Sequence, residues 1–153
     1  MERIEFRYVT YIGAPAQRIW DAITDPDRSV RYWGHRNVSD WRVGSRWEHQ
    51  RRDGSATADV VGAVLESVPP RRLRITWSIP GDERAAGPTD VSFALDEHGP
   101  IARLTLVHGN LVDEREREAL ASGWSAVLAN LKTFLETGRP LPVAPWEVPD
   151  AEW

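Results

Sequence analysis

The chain has 153 residues, of which 41% are hydrophobic and 27% charged, with a net charge of −4 and no cysteine. This composition is typical of one globular domain, and it excludes disulfides, thiolate nucleophiles and sulfur-ligated metals, while the negative charge argues against nucleic acid as a partner. No apolar stretch approaches the roughly 20 residues that span a bilayer, and the charged start lacks the apolar core of a signal peptide, so we expect a cytoplasmic protein without membrane insertion.

The hydrophobic pattern predicts seven strands, two short helices after the first strand, and one long helix near the end. The predicted elements are a strand over 6–12, helices over 16–24 and 27–33, strands over 38–41, 46–51, 57–67, 72–79, 89–95 and 101–108, and a final helix between 113 and 138. Because consecutive strands are joined by short turns, they favour an antiparallel meander.

The final helix is the element around which the rest is expected to pack. Asp113 and Glu116 form a capping-box pattern, and Gly138 followed by Pro140 marks the end. Its apolar stripe consists of Leu120, Trp124, Val127, Leu128, Leu131, Phe134 and Leu135. One helix covers one face of a sheet, so we predict an α+β fold in which a curved antiparallel sheet of six to seven strands wraps around it.

Residues 139–153 contain four prolines and are predicted to form an irregular tail. Trp146 and Trp153 are expected to dock this tail on the body, because a free tail rarely carries two indoles. The predicted organisation is thus a domain over 1–138 and a tail over 139–153.

Short strings spread over residues 5–138 resemble the helix-grip fold of the START and birch-allergen (SRPBCC) superfamily, and within it a stand-alone bacterial homologue of the heat-shock-protein-90 ATPase activators. The strings are Ala14-Pro15, Ile19-Trp20-Asp21-Ala22, Thr24-Asp25-Pro26, Tyr32-Trp33-Gly34, Arg42-Val43-Gly44-Ser45-Arg46-Trp47, Gly62-Ala63-Val64-Leu65-Glu66, Pro69-Pro70-Arg71-Arg72-Leu73, Thr76-Trp77 and Gly123-Trp124. The resemblance implies a cavity between the long helix and the sheet, often used for lipids or polyketides, without implying one activity.

The eight tryptophans fit such a cavity, because indole suits apolar walls. We predict that the ligand-binding residues are Trp33, Trp47, His49, Trp77, Phe93, Leu106, His108, Trp124 and Leu128, with Trp33, Trp47 and His49 nearest the entrance. A fully packed core without a cavity is the alternative interpretation.

Four histidines are the candidates for acid–base chemistry: His35, His49, His98 and His108. None has metal-ligand spacing, so we expect no metal and no cofactor. His98 lies in a predicted turn, whereas His49 and His108 lie on inward faces, either as polar contacts in a cavity or as core histidines satisfied by neighbours. His35 is expected near the mouth of a pocket.

We therefore predict binding of a small hydrophobic or aromatic molecule, with no residue assigned as catalytic. One alternative is a polyketide cyclase or hydrolase that uses a cavity histidine. The other is a protein-interaction or co-chaperone-like module. A monomer or a homodimer is expected.

Overall fold

The computed structural model describes residues 3–149. In chain order its elements are β1 (Ile4–Ile12), α1 (Ala16–Thr24), α2 (Pro26–Trp33), β2 (His35–Val38), β3 (Arg46–Arg51), β4 (Ala58–Val68), β5 (Arg72–Trp77), β6 (Thr89–His98), β7 (Ile101–Leu111), α3 (Glu114–Thr137) and a short 3₁₀ helix (Pro145–Glu147).

The strands form one antiparallel sheet of seven, in the order β1-β7-β6-β5-β4-β3-β2. The chain meanders from β2 to β7, and β1 completes the sheet beside β7. Register shifts interrupt the β1–β7, β3–β4 and β4–β5 pairs, and such irregularities bend strands and increase their twist. The predicted helix-grip fold, a curved antiparallel sheet around a long helix, is confirmed.

Both ends of α3 have the signals that the sequence predicts. The side chain of Asp113 accepts a hydrogen bond of 2.9 Å from the backbone N–H of Glu116, and Glu116 in turn accepts one of 2.9 Å from the N–H of Val112. Gly138 closes the helix at φ 82°, in the left-handed region where a side chain would be strained. These caps fix where the apolar stripe begins and ends along the sheet.

The core lies between α3 and the concave face of the sheet. Leu128, Leu131 and Leu135 of α3 are buried in one cluster with Leu104 and Leu106 of β7. Burial of each such side chain stabilises the fold by about 1.5–3 kcal/mol, so the helix is held mainly by this face.

The first strand after the two short helices lies earlier than the sequence pattern predicts. The sequence pattern predicts a strand over 38–41, whereas β2 covers His35–Val38 and pairs with β3. Trp41 has φ 58°, in the left-handed region and not in the regular extended one. Its Nε1 donates a hydrogen bond of 2.8 Å to the carbonyl oxygen of Thr24. The apolar residue at 41 therefore anchors a loop on α1 instead of extending the strand.

Trp47 on β3 reaches across β4 to the next strand. Its Nε1 donates a hydrogen bond of 2.8 Å to the carbonyl oxygen of Thr76 on β5. The crossing passes over Gly62, where a Cβ would overlap that oxygen and lie 2.6 Å from Nε1 of Trp47. Glycine at position 62 thus leaves room for the indole of Trp47 to cross β4 and to bond β5.

Candidate functional site

A cavity of about 270 Å³ lies where α2, β2, β3 and β5 approach the first half of α3. We call it the indole cavity, since four of its wall residues are tryptophans. The lining residues are Trp33, His35, His49, Trp77, Ala119, Leu120, Gly123, Trp124, Val127 and Trp146. The wall is thus largely aromatic and aliphatic, with two imidazoles as its titratable groups.

Three indoles from different elements meet at the centre of the cavity wall. The ring of Trp124 lies 5.4 Å from that of Trp33 and 5.4 Å from that of Trp77, and Trp33 and Trp77 are 6.5 Å apart. These centroid distances are within the range of favourable aromatic pairs, which prefer tilted and offset arrangements. Trp77 of β5 and Trp124 of α3 thus meet across the gap between sheet and helix.

His108 fixes the position of Trp124 from behind. Nε1 of Trp124 donates a hydrogen bond of 2.9 Å to Nδ1 of His108. Because an indole N–H can only donate, Nδ1 carries no proton, and the proton lies on Nε2, which donates to the hydroxyl of Thr89 at 2.8 Å. That hydroxyl donates at 3.0 Å to the carbonyl oxygen of Trp77. These three hydrogen bonds in series, which we call the His108 relay, connect α3 to β7, β6 and β5.

The relay requires a neutral imidazole, and its surroundings favour one. Burial lowers the pKa of His108 to about 4, with Asp90 raising it and Arg84 lowering it by smaller amounts. Both ring nitrogens are used by protein groups, so His108 is a core histidine satisfied by neighbours. It orients a cavity wall and does not itself face the cavity.

Only one of the two ring nitrogens of His49 has a hydrogen-bond partner within the described residues. Its Nδ1 lies 2.6 Å from Oδ1 of Asn37, a buried residue of β2. The ring packs edge-on against Trp33 at 4.8 Å and stacks on His35 at 4.1 Å with an interplanar angle of 8°. Burial, and then the proximity of His35, lower the pKa of His49 to about 3, so it is neutral at physiological pH.

His35 lies beside an ion pair of Asp59 and Arg51 at the edge of the cavity. Its Nε2 lies 2.8 Å from Oδ2 of Asp59, whose other oxygen accepts from Nη2 of Arg51 at 2.9 Å. The hydrogen bonds from Arg51 and then from His35 lower the pKa of Asp59 to about 2, so this carboxylate is ionised and orients the imidazole. Among residues 3–149, no group of three His, Asp or Glu side chains is placed to hold a metal ion.

Trp146 brings the segment after α3 to the cavity. The backbone N–H of Leu141 donates at 2.7 Å to Oδ1 of Asn130, whose Nδ2 donates at 2.7 Å to the carbonyl oxygen of Tyr32. The indole of Trp146 then lies against Gly34, where a Cβ would be 3.2 Å from it. Trp146 is thereby placed on the body, whereas Trp153 lies outside the described residues.

The structure divides the predicted ligand-binding residues into two layers. Trp33, His49, Trp77 and Trp124 line the indole cavity. A second layer is buried behind them and does not line it: Trp47, Phe93, Leu106, His108 and Leu128. Trp47, expected near the entrance, is instead almost fully buried beneath Trp77, with ring centroids 5.6 Å apart. Phe93 supports Trp124 edge-on at 6.0 Å.

Several wall residues were not among the predicted ligand-binding residues. They are His35, Ala119, Leu120, Gly123, Val127 and Trp146. The sequence does point to Gly123, because a glycine inside a helix costs about 1 kcal/mol relative to alanine. Such a cost is expected where the site needs space beside the helix. Nothing lies within 4 Å of a Cβ built there, so the space beside it is open. Nothing in the sequence indicates that Asp59 contacts His35, because this contact depends on how the strands pair.

A curved antiparallel sheet that clasps a long helix, with a cavity between them, defines a helix-grip domain of the START and birch-allergen class. Within this class, the sequence profile described as Activator of Hsp90 ATPase homolog 1-like protein matches residues 13–136. The chain belongs to this family, and the resemblance inferred from its sequence strings is confirmed.

Solved structures with the same fold span nearly the whole chain. CalU16 from Micromonospora echinospora is 27% identical with a TM-score of 0.70, over 92% of this chain and 86% of that one. ChR145 from Cytophaga hutchinsonii is 26% identical with a TM-score of 0.73, over 90% and 98% of the two chains. Aha1 from Colwellia psychrerythraea, solved as a dimer, is 22% identical with a TM-score of 0.72, over 88% and 98%. This last likeness concerns the fold alone.

No curated protein sequence matches the chain significantly. Within residues 3–149, none of the helices combines the length and apolar character needed to cross a bilayer.

Proposed function

We propose that this domain binds a small aromatic molecule in the indole cavity. The observation that carries the proposal is the meeting of Trp33, Trp77 and Trp124 around open space of about 270 Å³. Ligand sites are concave and mostly apolar with few polar groups, and a wall of three indoles with two imidazoles has this character.

The size of the cavity narrows the class of ligand. Small-molecule pockets usually measure about 300–1,000 Å³, so this cavity of about 270 Å³ lies just below the usual range. A compact system of two or three rings fits such a space and can stack on the indoles, whereas a long acyl chain exceeds it. Of the apolar ligands expected from the sequence, the proposal therefore favours an aromatic or polyketide-like molecule over a lipid.

The wall is held in place before any ligand arrives. Trp124 is fixed through His108, and Trp77 is supported from below by Trp47. A preorganised site loses less conformational entropy on binding, so a small contact area can still give useful affinity.

The tryptophans themselves provide the test. In a ¹H–¹⁵N correlation spectrum, titration with naphthalene should shift the indole N–H signals of Trp33, Trp77 and Trp124 with one common dissociation constant. Trp20, buried on α1 and absent from the cavity wall, is the internal control. Lauric acid should cause no saturable shift. Unchanged indole signals with naphthalene would contradict the proposal.

A second candidate function, a hydrolase or cyclase, is favoured by the pairing of His35 with Asp59. In its neutral form, with the proton on Nε2 facing Asp59, His35 has a lone pair on Nδ1 that can act as a general base. If the domain is a hydrolase, it should hydrolyse an aryl ester such as 2-naphthyl acetate. The rate should fall strongly in His35→Gln and less in Asp59→Asn. Equal rates for the wild type and His35→Gln would contradict it.

A further inference from the structure

One nitrogen of His49 is a hydrogen-bond acceptor whose direction is set by Asn37. Nδ2 of Asn37 donates at 2.8 Å to the carbonyl oxygen of Ile23, which fixes the amide so that Oδ1 faces His49. An amide oxygen only accepts, so Nδ1 of His49 carries the proton. Nε2 of the neutral ring is then left with a lone pair.

This lone pair has no protein donor within residues 3–149. Of the neighbouring indoles, Trp47 donates to Thr76 and Trp124 donates to His108. The indoles of Trp33 and Trp77 pack against the ring but make no hydrogen bond to it. His35 stacks on the ring face and directs its own Nε2 to Asp59, so it does not donate to His49.

The free nitrogen opens into the indole cavity. Among the described residues no fully buried side-chain nitrogen or oxygen lacks a partner, so Nε2 of His49 contacts accessible space. His49 is a wall residue of the cavity, and the rest of its surface is packed against Trp33, Trp77 and His35. An acceptor on His49 therefore faces a space whose walls are largely apolar.

The charged groups near His49 preserve this state. Asp59 and Arg51 on the adjoining strands pair with each other, and His35 lies between Asp59 and the ring. The pKa of His49 is lowered to about 3 by burial and by His35, and the opposing effect of Asp59 is smaller. The ring thus stays neutral, and its lone pair attracts an O–H or N–H and repels a carboxylate.

We propose that the ligand is a hydroxylated aromatic compound of two or three rings whose hydroxyl donates a hydrogen bond to Nε2 of His49. The inference rests on the proposed binding function and adds to it the chemical class of the ligand. The rings stack on the indoles, and the hydroxyl sets which edge enters the cavity first.

Three probes that differ at one position test the inference: 2-naphthol, 2-methoxynaphthalene and naphthalene. A neutral hydrogen bond contributes about 1 kcal/mol net, so 2-naphthol should bind about fivefold to tenfold more tightly than 2-methoxynaphthalene. In His49→Phe, which keeps a planar ring without the acceptor, 2-naphthol and 2-methoxynaphthalene should bind equally.

A second measurement needs no variant. The ¹⁵N signal of His49 Nε2 should have the position of an unprotonated imidazole nitrogen and should move upfield when 2-naphthol is added, but not with naphthalene. This keeps the inference testable if His49→Phe fails to fold.

The outcomes are distinct. Equal binding of the three probes to the wild type would overturn the hydroxyl inference while the binding function stands. A preference for 2-naphthol that persists in His49→Phe would overturn the role of His49. Failure of all three probes to bind would overturn the binding function itself.

Discussion

The indole of Trp124 donates a hydrogen bond of 2.9 Å to Nδ1 of His108, across the boundary between the long helix and the sheet. Both residues are buried, and the donor belongs to a cavity wall while the acceptor belongs to the core. This hydrogen bond therefore contributes both to the stability of the fold and to the position of a cavity wall residue.

Replacement of Trp124 by phenylalanine tests this relationship. Trp124→Phe retains an aromatic ring but leaves Nδ1 of His108 buried without a donor, which costs about 1–3 kcal/mol of the free energy of unfolding. Urea denaturation measures the loss. Trp20→Phe is the matched control, because it shortens a buried indole that has no side-chain acceptor within the described residues. Equal losses in the two variants would show that the bond contributes nothing specific.

The stability of the protein should depend on pH through two buried histidines. The pKa values of His49 and His108 are lowered to about 3 and about 4, whereas in the unfolded chain both are about 6.5. As pH falls below about 6.5, the unfolded state binds protons that the native state does not bind. The free energy of unfolding should therefore decrease by up to about 1.4 kcal/mol per pH unit for each histidine.

Urea denaturation between pH 7.5 and pH 5 checks this dependence. The stabilising contribution of the neutral rings is complete above pH 7.5 and is lost as pH falls toward the native pKa values. His108→Gln should make the dependence of the unfolding free energy on pH less steep, because about one proton fewer is taken up on unfolding. A slope of zero in the wild type over this range would contradict the assignment.

Gly62→Ala should destabilise the protein strongly. The added methyl group would overlap the carbonyl oxygen of Thr76 and collide with the indole of Trp47. Neither neighbour is a flexible chain end, so we expect a loss of about 1–3 kcal/mol, as for overpacked cores. Thermal or urea unfolding gives the value, and the indole signal of Trp47 should shift with it. An unchanged stability would mean that the indole does not lie across Gly62.

Gly123→Ala, the same substitution on α3, should have the opposite effect. Apart from the adjacent residues and the helix backbone, no atom lies within 4 Å of the added methyl group. Alanine is favoured over glycine in a helix by about 1 kcal/mol. The midpoint of urea denaturation should rise accordingly. Gly123→Leu should instead project into the cavity mouth and weaken naphthalene binding several-fold. Tight binding in Gly123→Leu would place the ligand elsewhere.

Much of the fold can be predicted from the sequence, because helix caps and strand alternation are set by residues close together in the chain. Asp113, Glu116 and Gly138 mark the long helix, and strand alternation identifies the buried faces of β3 and β7. The strand predicted over 38–41 is wrong, because Trp41 anchors a loop through a hydrogen bond to Thr24.

The site follows less completely from the sequence. Alternation shows which face His49 and Leu106 occupy, but it does not show how far along the sheet each lies from the opening. The pairing of His35 with Asp59 depends on the register of three strands, and the position of Trp146 depends on hydrogen bonds made by Asn130 and Leu141. Such information is non-local, so the sequence pattern indicates the inner face of the sheet but not which of its residues line the cavity.

The most direct test of the central claim, that an aromatic guest occupies the space among three indoles, is an intermolecular NOE spectrum of the protein with naphthalene. We expect cross-peaks from the naphthalene protons to the rings of Trp33, Trp77 and Trp124, and none to Trp20. Cross-peaks confined to exposed residues, or none at all with naphthalene in excess, would contradict a binding site in the indole cavity.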